Sequence, residues 1–262
     1  MDMPFTRDMG QGGQHALMIH CMLAHSRAWA GLSQHLGDYY QMHAFDLPGH
    51  GRAAPWDGRV ELQLYAAQMA HRGMDGRPMD VIGHSFGATV ALRLAVLFPQ
   101  LVQRLVLVEP VFFASARDGS ARVDALLQAE HDRCAAQFAA GDYMGAAQRF
   151  FAFWGDGPAV WAKLPQAKRD MIAGQMRLIE ATGISVYDDA PGLLRPGVLD
   201  RLDIPVLLVE GEQSPPIIAA INNGLQNRLP NVQRAQIAGA GHMAPLTHPA
   251  DCAQVIRRFV EK

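Results

Sequence analysis

The 262-residue chain lacks the features that mark several common classes of protein. It has only three cysteines, Cys21, Cys134 and Cys252, far apart in sequence and without a CxxC pair. They build neither a disulfide framework nor a thiolate metal site, and a reduced, intracellular setting is expected. An excess of one charge is also missing: 23 basic and 25 acidic side chains leave a formal net charge of −2. That balance supplies no basic field for nucleic acid or for an anionic membrane surface. No apolar run approaches membrane-spanning length. The opening "MDMPFTRDMGQGGQHALMIH" has no positive segment followed by a long apolar one, so it does not read as a signal peptide. There is no His-x-x-x-His pair, no carboxylate cluster, no repeat and no low-complexity tract. The expectation is a cytoplasmic protein without metal or cofactor that acts on a small molecule, with its oligomeric state, homo-oligomer included, left open.

What is present is apolar substance, 49% of the residues, enough for one α/β domain with an insertion. Apolar runs read as buried strands at Ala16–Ile19, in "YYQMHAF", at Asp80–Ile82 and in "RLVLVEP". Helix-like stretches alternate with them in "SRAWAGLSQHL", at Val60–His71 and at Phe86–Leu97. Strands without a polar face imply a mostly parallel central sheet covered on both sides by helices. From about Phe112 to Asp203 strands disappear, and Ala-, Gln- and Arg-rich helical segments carry a cluster of aromatics. The strand–helix rhythm returns at "IPVLLVEGE" and runs through a helix near Ile217–Leu229, a strand near Val232–Ile237 and a last helix from about Pro249. Residues 1–110 and 204–262 are therefore expected to form the core, and residues 111–203 a helical insertion laid over it.

Within that frame, "GHSFG" places Ser85 between Gly83 and Gly87, after a strand and before a helix. In a G-x-S-x-G turn the serine stands at the apex of a strained bend, and the glycines make room where side chains would collide. The hydroxyl is exposed beside the N–H groups of a helix start. The plain alternative is an ordinary turn with a serine capping its helix. A nucleophilic hydroxyl needs a base. Of the 11 histidines, His15, His35, His43 and His71 read as surface or edge positions, His50 sits in a Gly-Pro loop, His84 packs inside the bend, and His131 lies in the insertion. His248 opens the last helix. His242, in "AGAGHMAPLTHP", follows the last strand and lies at the edge where such sheets present their chemistry.

These pieces together, "LMIHCM", "FDLPGHGR", "GHSFGATVAL", "RLVLVEP", "IPVLLVEGE" and "GAGHMAPLTHP", resemble in order the α/β-hydrolase fold, in its serine-nucleophile branch with a helical cap. The resemblance spans nearly the whole chain. It implies an eight-strand-type sheet trimmed at the N-terminus, a cap at 111–203, Ser85 as nucleophile and His242 as base. Two departures stand out. Relatives carry an aspartate after the penultimate strand, where this chain reads "GEQSP" with Ser214. A neutral serine cannot stabilise the imidazolium formed at His242. The acid is then expected at Glu109, which closes the apolar strand of "VLVEP", with Glu210 and Glu212 as rivals. Relatives also read His-Gly-x after the first central strand, whereas this chain has His20-Cys21-Met22. By that match the oxyanion donors are the N–H groups of Met22 and Phe86. Cys21 and His20 read as structural parts of the loop.

The expected activity is hydrolysis of a small or medium, largely apolar carboxylic ester, thioester or lactone through an acyl-enzyme. Carbon–carbon bond hydrolysis of a vinylogous diketone, acyl transfer to another nucleophile, and ligand binding without catalysis are the alternatives. The missing aspartate is what favours the last of these.

Overall fold

The computed structural model describes residues 5–155 and 157–261. Among these residues the strands are β1 (Thr6–Met9), β2 (Gln14–Ile19), β3 (Tyr40–Phe45), β4 (Met79–His84), β5 (Val102–Val108), β6 (Val206–Gly211) and β7 (Val232–Ile237). They form one seven-stranded sheet in the order β1-β3-β2-β4-β5-β6-β7. β1 runs antiparallel to β3, and every other pair is parallel. The sheet of an α/β-hydrolase fold is thus present, with seven strands among the described residues.

The central strands are apolar on both faces because both faces are covered. Leu17, Ile19, Val81, Leu105, Leu107 and Leu208 enter one core, together with helices α2 (Leu62–Gly73), α3 (Phe86–Leu97) and α8 (Pro216–Gln226). Their strand neighbours Met18, Ile82, Val106, Val108 and Val209 point the other way, onto α1 (Ala30–Leu36) and the final helix, α10 (Pro249–Val260). The two-residue period of a strand divides its side chains between the layers, and each fully buried Leu or Ile stabilises by about 1.5–3 kcal/mol.

The edges differ. β7, VQRAQI, exposes its polar residues and buries Ile237, and β1, TRDM, has no fully buried residue. The sequence reading contains no strand at β1. Four residues with two charges carry no hydrophobic pattern, and this edge exists through its register with β3. At the N-terminal end of the sheet, Arg104 Nε donates to Asp80 at 2.9 Å, Tyr40 also bonds Asp80, and Arg104 reaches the Val260 carbonyl. That polar cluster ties β3, β4, β5 and α10 together, away from the strand ends discussed next.

Between β5 and β6 the chain forms α4 (Ala121–Ala139), α5 (Tyr143–Trp154), α6 (Pro158–Lys163) and α7 (Gln166–Val186). Ser120 caps α4 through Val123 N–H, and Asp142 caps α5 through Gly145 N–H at 2.8 Å. These helices share a small core of their own, built on Cys134, Ala146, Trp161, Ile172 and Met176.

Candidate active site

Because the strands from β2 onward are parallel, their C-terminal ends lie along one edge of the sheet. Ser85 follows β4, at φ 57° and ψ −120°. Such a conformation costs a non-glycine residue about 1–3 kcal/mol. The surroundings enforce it: Ser85 N–H bonds the Val108 carbonyl at 2.9 Å, and the Ser85 carbonyl already accepts from Ala88 N–H at 3.0 Å. A Cβ on Gly83 would meet the Gly87 carbonyl oxygen at 2.4 Å, and one on Gly87 would meet the Ile19 carbonyl oxygen at 2.2 Å. Both glycines are required by close backbone approach. The Ser85 hydroxyl makes no capping bond to its own helix, so the ordinary capping turn is ruled out.

The hydroxyl instead meets His242, whose Nε2 lies 3.0 Å from Ser85 Oγ. His242 stands between β7 and a short helix, α9 (Ala244–Thr247). Its backbone is fixed from inside the bend, where His84 Nε2–H donates to the His242 carbonyl at 2.8 Å. Burial, and then the neighbouring His242, hold the His84 pKa down at about 3, so His84 stays neutral.

On its far side His242 Nδ1 lies 2.9 Å from Glu109 Oε2. Glu109 follows β5 with φ 53° and no solvent exposure. Its second oxygen, Oε1, accepts from Gly211 N–H at 2.6 Å and from the Ser214 hydroxyl at 2.7 Å. The carboxylate is therefore satisfied on both oxygens, which is the condition for keeping it buried. Ser214 here donates to the carboxylate that faces His242. Sequence reading took Ser214 only as a loss. The clue was available: a buried carboxylate facing a histidine needs donors for its other oxygen.

The rival carboxylates turn elsewhere. Glu210 binds Arg234 and Asn222, and Glu212 accepts from Gly239 N–H. The chain's helical segments contribute Trp154, whose indole meets the His242 ring edge-on with centroids 4.6 Å apart.

The loop after β2 holds Cys21 and Met22. His20 Nε2 accepts from Leu47 N–H at 2.9 Å, which puts its proton on Nδ1, donating to the Cys21 carbonyl at 2.7 Å. His50 Nε2 accepts from Leu23 N–H at 3.0 Å. His20 and His50 thus fasten the loop from below, and Met22 lies beside Ser85 in the walls of the adjoining cavities. Burial pushes the Cys21 thiol up to about 12, which leaves it protonated and without nucleophilic character.

Two cavities meet at Ser85. One, of about 260 Å³, runs under α4 and α7 past Phe86 and Phe113 to Glu130. The other, of about 330 Å³, opens past His242, Arg27 and Lys168. Both have Met22, Phe150 and Trp154 in their walls. A larger cavity of about 860 Å³ between the start of α4 and α8 contains none of these reactive groups. Among the described residues no group of His, Cys, Asp and Glu forms a metal site.

Comparison with known proteins identifies the family. Residues 15–249 match the family described as alpha/beta hydrolase fold, and the chain belongs to that family. It is 31% identical to a protein named Lipase LipV from Mycobacterium tuberculosis over 98% of this chain and 97% of the relative. It is 28% identical to a pimeloyl-[acyl-carrier protein] methyl ester esterase from Nitrosomonas europaea, over 90% of this chain and 92% of the relative. In fold it is similar to the crystal structure of Cfl2 from Burkholderia cenocepacia, with a TM-score of 0.75 at 21% identity, covering 97% of this chain and 90% of that one.

Proposed function

We propose that the protein is a serine hydrolase of carboxylic esters. The observation that carries this is the continuous hydrogen-bonded line from Ser85 Oγ through the His242 ring to Glu109, at 3.0 and 2.9 Å. In the proposed reaction His242 Nε2 takes the hydroxyl proton as Ser85 attacks the ester carbonyl. Glu109, accepting from His242 Nδ1–H, holds the ring and stabilises the imidazolium. The oxyanion is received by the N–H groups of Met22 and Phe86, each worth about 3–4 kcal/mol in the transition state. His242 then returns the proton to the leaving alcohol, and water, activated by the same imidazole, hydrolyses the acyl-enzyme. Ester hydrolysis is also supported by the names of the relatives, a lipase and a methyl ester esterase.

The two cavities support a division of the substrate. His242 must protonate the leaving group, and it lines the cavity of about 330 Å³ but not the other. The alcohol leaves on that side, and the acyl group occupies the apolar cavity under α4 and α7. Residues 111–203 act in this reading as a cap that closes over Ser85. A small or medium, mostly apolar acyl group fits the aromatic walls, whether presented as ester, thioester or lactone. The contact of Glu109 with His242 favours this reading over the receptor alternative, whose support was the missing aspartate.

The test is turnover of p-nitrophenyl butyrate with a pre-steady-state burst. One equivalent of p-nitrophenol per chain, absent in Ser85→Ala, is expected. Absence of both burst and turnover across short and medium acyl chains overturns the reading.

A further inference from the structure

The acyl cavity has mostly apolar walls, with polar side chains at His131, Glu180, Thr182 and Tyr187 and one almost fully buried charged group. Glu130, on α4 and only 7% exposed, faces the cavity together with Arg133, one turn further along the same helix. Arg133 Nε donates to Glu130 at 3.1 Å, its Nη2 also binds Glu130, and its guanidinium lies over the Phe153 ring, with Cζ 3.1 Å from the centroid. Glu130 is almost fully buried while the Arg133 side chain keeps 23% of its exposure; desolvating that carboxylate is costly, and an apolar pair of similar volume often serves stability as well or better. Burial raises the Glu130 carboxyl above the usual carboxylate range, against the easing effect of Arg133. Packing therefore does not account for the pair, and its position in the substrate cavity suggests what does.

We infer that Glu130 and Arg133 form a polar subsite that selects acyl chains bearing a distal hydroxyl group. This rests on the assignment of that cavity to the acyl group. A hydroxyl both donates and accepts. It can give its proton to a Glu130 oxygen and receive an N–H from Arg133 Nη1, which is not used on Glu130. A distal carboxylate fits worse, since it would set two negative charges against one guanidinium. The pair satisfies itself when the cavity holds a plain chain, so the discrimination is modest. One or two hydrogen bonds to charged partners correspond to about tenfold, far from the several thousandfold of a site left unpaired without its ligand.

The experiment compares kcat/KM for methyl hexanoate and methyl octanoate with methyl 6-hydroxyhexanoate and methyl 8-hydroxyoctanoate, and with the monomethyl ester of suberic acid. At least one hydroxy ester is expected to exceed its plain counterpart about tenfold in the wild type. The double variant E130L/R133L replaces the pair with apolar side chains. It is expected to bring the hydroxy-to-plain ratio to one or below, the ratio being read within the variant whatever its rate on the plain esters. E130Q, which keeps the shape, is expected to retain part of the preference. A wild-type ratio near one, a preference for the suberate half-ester, or a ratio unchanged in E130L/R133L overturns the inference. Failure of the ester-hydrolase reading is seen separately, as no turnover of any of these esters.

Discussion

The sheet and the helices inserted between its fifth and sixth strands contribute differently to the site. The loops after β2, β4, β5, β6 and β7 supply Met22, Ser85, Glu109, Ser214 and His242; Ser85, Glu109 and Ser214 are held by backbone hydrogen bonds, and His242 by the bond from His84 to its carbonyl. The insertion supplies walls: Trp154, Phe150 and the Glu130–Arg133 pair. In the proposed mechanism the reacting groups sit on the doubly covered layer, where a positive φ can be enforced. The surfaces that meet substrate sit on helices whose shared core is small. Chemistry and selectivity can then vary independently, and substitutions in the two regions should separate in kind as well as in size.

The largest effect is expected at the apex of the bend. Ser85→Ala should lower kcat on p-nitrophenyl butyrate by about 10⁴-fold or more, leaving the residual rate that binding and oxyanion donors alone provide. Next is the acid. Glu109→Gln should cost about 10³–10⁴-fold in kcat, because the amide favours the wrong tautomer of His242, whereas Glu212→Gln should stay within about twofold, as its carboxylate accepts from Gly239 N–H and not from His242. Equal losses in the two variants would break the assignment. In the insertion, Trp154→Ala removes the ring that packs edge-on against His242 and opens both cavities. A loss in kcat/KM of about tenfold is expected, carried in good part by KM. A loss as large as that of Glu109→Gln would show that the division between core and insertion is drawn too sharply. Ser214→Ala removes one of the two donors to Glu109 Oε1 and should slow kcat about three- to tenfold.

The smallest effect concerns stability against pH. His20 and His84 are buried and held at about 3, against an ordinary value of 6.5. The unfolded chain takes up protons on both below pH 6.5 while the folded chain does not. Their contribution is therefore present above 6.5 and lost as the pH falls from 6.5 toward 3. Thermal melts should show Tm falling over this range, with a shallower slope in His84→Gln. A slope unchanged by that substitution would remove His84 from the explanation.

Much of the core was legible because its signals are local. Phe86–Leu97 and Val232–Ile237 were read with the limits they have, and the apolar strands announced a sheet covered on both faces. Glu109 is the expected acid on sequence, with Glu210 a close rival, since each follows an apolar strand. What divides them is backbone geometry: Glu109 lies just past its strand at φ 53°, while Glu210 stays within β6 and turns to Arg234. The role of Ser214 depends on a contact across 105 positions, which no local pattern records. The insertion was legible as helices, but not as a pair of cavities, because cavities arise from how helices lean together and not from their periodicity. Glu130 and Arg133 stand three apart on one helix face, a spacing common on surfaces, and nothing local records the cavity wall that they join.

The most direct measurement is labelling by a fluorophosphonate, followed by mass spectrometry of the peptide containing Gly83–Gly87. One adduct per chain on Ser85 is expected, formed much more slowly in His242→Ala and in Glu109→Gln. An adduct on another residue, or labelling of Ser85 at an undiminished rate in both variants, would contradict a hydroxyl activated through His242 and Glu109.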